Sequence, residues 1–151
     1  MTELIKEIAT ASPDETEAVA KEFAAVLCGE MVKKDTDNLF VALDGDVGVG
    51  KTVFVRGIAS LICPDDFVQS PTYALVNEYR GEYRICHYDM YRITSEDDLE
   101  STGFYDYKNC IIVAEWCENI PFALPKSYYR VDISKTDDGN GRLIRIEKVT
   151  E

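Results

Sequence analysis

The chain has one histidine, one tryptophan, and five cysteines with no C-x-x-C pair among them. A single histidine cannot build a histidine-rich metal centre and gives no obvious catalytic triad. Without paired cysteines, the zinc-ribbon and dithiol-redox classes fall away. Cys28, Cys63, Cys86 and Cys110 stand in or beside apolar runs, as reduced, mostly buried thiols do. Positive charge is also scarce: 16 Lys and Arg face 28 Asp and Glu, for a net charge of −12. A field of that sign repels polyphosphate backbones and anionic membranes, so any role at RNA runs through a protein partner. No apolar run approaches the roughly 20 residues that a membrane-crossing helix needs. The first eight residues are acidic and lack a signal-peptide apolar core, so a cytoplasmic location is expected. No repeat, low-complexity tract or composition break divides the 151 residues. One domain with its own core is expected, from 46% apolar and 29% charged residues.

What the chain does have is Gly45-Asp46-Val47-Gly48-Val49-Gly50-Lys51-Thr52, which satisfies G-x-x-x-x-G-K-[ST]. Glycines let such a loop curl so that its N–H groups point inward and cradle phosphates. Lys51 would reach the β/γ-phosphates, and the Thr52 hydroxyl would take one Mg²⁺ position. The motif has force only between a strand and a helix. Asn38 to Leu43 is a short apolar run suited to a buried parallel strand. After Thr52, the residues Phe54, Ile58, Leu61 and Ile62 recur at helical spacing, and Pro64 marks a stop.

Elsewhere, Ser12-Pro13-Asp14-Glu15 reads as a capped helix start. Val19, Phe23, Ala24 and Leu27 follow as one apolar face, with Gly29 as the expected end and Met31 to Asp37 as a polar connection. Tyr73 to Tyr79 and Tyr83 to Tyr88 read as a strand pair turning at Arg80-Gly81, which makes the sheet mixed. Ser95 caps a short helix, and Gly103 to Tyr107 is an aromatic loop. Cys110 to Ala114 is a strongly apolar strand. Ser127 to Ile133 and Arg142 to Val149 form a hairpin across Asp138-Gly139-Asn140-Gly141. The fold expected is α/β and P-loop NTPase-like, with a mixed, mainly parallel central sheet and a C-terminal hairpin.

A P-loop works with a carboxylate at the end of another strand. Two stand at such ends, Asp89 and Glu115, and Glu115 follows the more apolar strand. Thr72, twenty residues past Thr52, lies where a switch loop would meet Mg²⁺ or the γ-phosphate, or is simply part of a Ser-Pro-Thr turn. His87 reads as structural or supporting. Trp116 beside Glu115 is either core or a shield over the site. No Asn-Lys-x-Asp guanine signature occurs; Ser134-Lys135-Thr136-Asp137 is the nearest approach. Adenine is therefore the expected base, with ATP and Mg²⁺ as ligands. Lys51, Thr72, Asp89 and Glu115 are the candidate catalytic groups.

Four motifs occur in order: the P-loop, Ser70-Pro71-Thr72-Tyr73, His87-Tyr88-Asp89-Met90-Tyr91-Arg92, and Glu115-Trp116. Together with Thr10-x-Ser12 and Glu15-Thr16, they resemble the TsaE family, small bacterial ATPases of tRNA threonylcarbamoyladenosine biosynthesis. The resemblance covers nearly the whole chain. It implies a sheet with helices on both faces, binding ATP and Mg²⁺. It implies Thr52 and Glu115 as Mg²⁺ ligands and Asp89 as a further acid there. The Ser70–Thr72 stretch resembles a switch-like loop, and the segment around Ser12 and the turn at Gly141-Arg142 resemble parts that close over the nucleotide. The family acts with the TsaD and TsaB pair, which transfers threonylcarbamoyl to adenosine 37 of tRNA, and its hydrolysis resets or drives that complex. The departures are Cys117, where members often carry proline or alanine, and the acidic surface. Two other readings compete: a small-molecule P-loop kinase, and a nucleotide-gated binding module without useful turnover.

Overall fold

The computed structural model describes residues 1–33, 37–46, 48–71 and 75–151. Seven strands form one sheet in the order β1-β7-β6-β2-β5-β4-β3. They are β1 (Thr2–Thr10), β2 (Leu39–Asp44), β3 (Val76–Tyr79), β4 (Arg84–Asp89), β5 (Cys110–Glu115), β6 (Ser127–Lys135) and β7 (Arg142–Thr150). The central strands β6, β2, β5 and β4 pair in parallel, whereas β1, β7 and β3 join the two flanks antiparallel.

The centre is parallel because its strands are apolar on both sides. In β2, Leu39, Val41 and Leu43 face one cluster, and Phe40 and Ala42 face the other. A strand buried on both faces needs cover above and below. One cover is the pair α1 (Pro13–Lys33) and α2 (Lys51–Ile62). Val19, Phe23 and Leu27 of α1 pack with Phe54, Val55, Ile58 and Ile62 of α2 over that face. The two helices approach so closely that a Cβ on Gly57 would run into the Glu17 carbonyl and sit 2.5 Å from the Ala20 Cβ. The other face is covered by α3 (Glu96–Glu100), two 3-10 turns (Phe104–Asp106 and Cys117–Asn119) and their loops. These supply Met90, Leu99, Phe104 and Ile120. Helical cover thus exists on both faces, but it is long on one and short on the other. All five cysteines are free, and all except Cys28 are buried.

Three elements differ from the sequence expectation. α1 does not stop at Gly29; it continues to Lys33. Gly29 faces open space, and Met31, only 2% exposed, anchors the last turn in the core. On α2, Val55 takes the inward position, and Leu61 is 38% exposed on the flank. β1 was not expected from the sequence. It is an edge strand with most of its residues exposed, and a register irregularity between Leu4 and Lys6 breaks its period-two pattern. The hairpin strand and return strand expected over 73–88 appear as β3 and β4, while Thr72, Tyr73 and Ala74 lie outside the described residues. Among the described residues, no helix is long and apolar enough to cross a membrane.

Candidate active site

The parallel centre brings several strand ends to one edge of the sheet. Register pairs Leu43 with Glu115 and Asp89 with Glu115, so the chain leaving β2 runs straight into the P-loop beside both carboxylates. Crevices at the carboxyl ends of parallel strands, where connections diverge to either side, are the usual ligand sites of α/β sheets. Here β2 is the divergence point, with β5 on one side and β6 on the other.

Gly50 makes the turn from loop to helix with φ 106° and ψ 28°, in the left-handed region, which suits glycine and few other residues. No side chain caps α2 there. The first N–H groups of the helix therefore point into the loop without a side-chain acceptor, which is an anion-binding arrangement. Arg142 braces the loop from outside: its Nε donates to the Val49 carbonyl at 2.8 Å and its Nη2 to the Gly48 carbonyl at 3.4 Å. It reaches them because Thr10 of β1 pairs with Arg142 of β7, next to the hairpin turn. Gly141 permits that approach, since a Cβ there would lie 2.7 Å from the Thr10 carbonyl oxygen.

At the centre is Lys51. Its Nζ donates to the Gly45 carbonyl at 2.8 Å and lies 3.3 Å from Glu115 Oε1. It also sits 5.8 Å from the centre of the Trp116 ring. The Lys51 and Glu115 side chains are each only 10% exposed. The other Glu115 oxygen, Oε2, lies 2.7 Å from Nε2 of His87, which is fully buried. Burial opposes ionisation of Glu115, but the His87 hydrogen bond and the charges of His87 and Lys51 outweigh it and hold the carboxyl below its usual range. Trp116 follows in the left-handed region with φ 61°. This turns the chain out of β5 at once, and the indole packs against the Tyr91 ring, with centroids 4.9 Å apart.

Two cavities flank the P-loop. The larger, of about 710 Å³, is lined by Lys51, Thr52, Ser70, Asp89, Glu115 and Trp116, among others. Asp89 is half-buried at its rim, and its Oδ1 accepts from the Tyr91 N–H at 3.0 Å. The smaller, of about 250 Å³, lies on the far side of Gly48, Val49 and Gly50 and is lined by Ser12, Thr16, Val53, Asn140 and Arg142. Ser12 caps α1, accepting from the Glu15 N–H at 3.2 Å, while Glu15 Oε1 accepts from the Ala11 N–H at 3.3 Å. Thr10 and Thr16 join their buried hydroxyls at 2.7 Å beneath it.

The structure thus gathers Gly45, Gly48, Val49, Gly50, Lys51, Thr52, Asp89 and Glu115 around one loop, with Ser12, Gly141 and Arg142 at its outer side. Asp46 lines a further cavity beside Lys51, with Asp44, Gly45, Trp116, Glu118 and Asp132. Val47 and Thr72 lie outside the described residues. Sequence reasoning did not place Thr16, Val53, Asn140 or Tyr91 at the site. Asn140 stood in the expected turn before Gly141-Arg142, and Thr16 and Tyr91 stood within the motifs that carry the family resemblance.

The matching model in a scan of family models is "Threonylcarbamoyl adenosine biosynthesis protein TsaE", which covers residues 10–144. The chain belongs to the TsaE family. The tRNA threonylcarbamoyladenosine biosynthesis protein TsaE of Haemophilus influenzae is 38% identical over 132 residues, spanning 83% of this chain and 81% of the relative. The TsaE of Bacillus subtilis is 34% identical over 132 residues, spanning 85% and 77%. Among solved structures, that of Bacillus subtilis YdiB superposes with a TM-score of 0.75 at 26% identity, covering 99% of this chain and 88% of that one. The TsaE fold and the P-loop motif together give a nucleotide-binding site its chemistry: curled backbone donors, one lysine and carboxylates at adjacent strand ends. The Thr52 hydroxyl and the Asp89 and Glu115 carboxylates that line the larger cavity also suit Mg²⁺, because hydroxyl and carboxylate oxygens are the hard ligands it prefers. Among the described residues, no group of three or more His, Cys, Asp or Glu converges on a metal. A Mg²⁺ bound through phosphates needs only one or two carboxylates.

Proposed function

We propose that the chain is the Mg²⁺-dependent ATP-binding and ATP-hydrolysing component of the bacterial tRNA threonylcarbamoyladenosine machinery, acting with TsaD and TsaB. One observation carries the reading: Lys51 joins the P-loop carbonyl of Gly45 to Glu115 at the end of β5, beside a cavity that also holds Thr52 and Asp89. With nucleotide absent, the lysine is neutralised by a carboxylate. With phosphates in the loop, Lys51 turns to their oxygens and neutralises charge as it develops, the main protein contribution to phosphoryl transfer. Thr52, Glu115 and Asp89 would hold Mg²⁺, which supplies further neutralisation of the phosphate oxygens. The smaller cavity beside Val49 and Val53 suits an adenine and its ribose, with Ser12, Asn140 and Arg142 at its wall. Thr72 is proposed to meet Mg²⁺ or the γ-phosphate.

Water is the acceptor in this reading. The chain offers no lid-length insertion of the kind that a small-molecule kinase uses, and a charge of −12 keeps tRNA contact indirect. A stimulating cation supplied in trans gives other P-loop enzymes very large accelerations. Hydrolysis should therefore be slow alone and rise about tenfold or more with the TsaD–TsaB pair. Steady-state phosphate release measures it, and equal rates with and without the pair would sink the reading.

A further inference from the structure

The described residues include a buried polar contact that phosphate binding does not require. His87 is the only histidine in the chain and is fully buried. It lies two residues before Asp89 on β4, and the β4–β5 register sets its ring diagonally beside Glu115. Its Nε2 is 2.7 Å from Glu115 Oε2, and its Nδ1 has no hydrogen-bond partner among the described residues. An ionised carboxylate only accepts hydrogen bonds, so the shared proton sits on Nε2. Core packing does not ask for such a residue, because a buried nitrogen without a partner is unfavourable, and an aliphatic side chain of the same volume would avoid it.

The two Glu115 oxygens have different prospects. Oε1 faces Lys51, which must leave when phosphates arrive; Oε2 faces His87, which stays. Once Lys51 has turned away, His87 is the described side chain still bonded to that carboxylate. A glutamate has three torsions, and a free one spreads over many rotamers. We propose that His87 is a positioning residue that fixes the Glu115 carboxylate for Mg²⁺ through Nε2–H, so that its open oxygen stays aimed at the P-loop after Lys51 moves to the nucleotide. This rests on the reading of Glu115 as a Mg²⁺-binding acid.

The test uses the full chain and three variants: His87→Leu, which keeps volume without a donor; His87→Gln, which restores an N–H donor; and Glu115→Gln. Trp116 fluorescence, checked by calorimetry, follows Mg²⁺ titration at saturating ATP, and ATP binding in excess chelator is measured separately. Loss of the partner of a metal ligand commonly weakens metal affinity about 10–100-fold. That rise in Mg²⁺ half-saturation is expected for His87→Leu, with chelator-state ATP affinity within about threefold of the parent and His87→Gln recovering most of the loss. The single histidine also gives one ring N–H signal by NMR, expected to move on Glu115→Gln as a charge-assisted bond becomes a neutral one. If His87→Leu fails to fold, this signal decides, and a resonance indifferent to Glu115→Gln overturns the proposal. Equal loss in His87→Leu and His87→Gln overturns it too. Weakened Mg²⁺ binding in Glu115→Gln but not in His87→Leu overturns the role of His87 alone. No weakening in Glu115→Gln overturns the reading of Glu115 beneath it.

Discussion

Glu115 and Glu147 each sit between two basic side chains, at different places in the same sheet. Glu115 ends β5 in the parallel centre, with Lys51 at 3.3 Å and His87 at 2.7 Å. Glu147 lies on the antiparallel flank, with Arg130 at 3.1 Å and Arg145 at 3.5 Å. The basic side chains beside Glu115 are 10% and 0% exposed, whereas those beside Glu147 are 35% and 42% exposed. Solvated pairs gain about 0–1 kcal/mol, because water and salt screen them. Dry pairs are costly to assemble and costly to break, about 3–5 kcal/mol when one partner is removed. Glu147 itself is as buried as Glu115, so what differs on the flank is that its arginine partners reach solvent and link strand to strand there. In the centre, Lys51 and Glu115 neutralise each other, and a ligand with phosphates and a cation can exchange into that arrangement.

The sharpest way to break this contrast is to neutralise each glutamate in turn. Glu115→Gln is expected to lower ATP hydrolysis about 100- to 1,000-fold, the usual cost of removing one preorganised electrostatic group. ATP should still bind in excess chelator. Single-turnover phosphate release checks the first expectation and calorimetry the second. Glu147→Gln is expected to leave nucleotide binding and hydrolysis unchanged and to lower stability only slightly, because its arginine partners are solvent-exposed. Its effect has a pH signature. The hydrogen bond from Arg130, opposed by desolvation and joined by the charges of Arg130 and Arg145, holds Glu147 below its ordinary value of 4.5. A depressed folded value stabilises above the unfolded one and is lost as pH falls through the folded one. Melting temperatures should therefore differ between parent and Glu147→Gln above pH 4.5, begin to approach each other as pH falls below it, and converge only below the depressed folded value. A large loss of hydrolysis in Glu147→Gln would erase the distinction between centre and flank.

How far the chain could be read in advance follows the same division. The P-loop, its strand and its helix were legible because their signal is local: glycines where the backbone curls, a lysine at fixed spacing and an apolar run on each side. Glu115 was legible as the acid ending a highly apolar strand. The flank was harder. β1 hid because a register irregularity after Leu4 breaks its alternation and an exposed edge carries little apolar pattern. The end of α1 was misplaced because Gly29 points into open space, and what keeps the helix going is the burial of Met31 two residues later. The bond from His87 to Glu115 spans 28 residues and depends on the β4–β5 register, which no local pattern encodes.

The most direct test of the central claim, that Lys51 waits on Glu115 for the phosphates of ATP, is calorimetric titration of ATP into the parent and Lys51→Ala, with a thermal melt of each. Truncating one partner of a buried charged contact costs about 2–5 kcal/mol, so ATP affinity should fall by about 30-fold or more while the variant still melts cooperatively. Unchanged ATP affinity, or a variant that no longer folds, would contradict it and make Lys51 a structural partner of Glu115 rather than the nucleotide's.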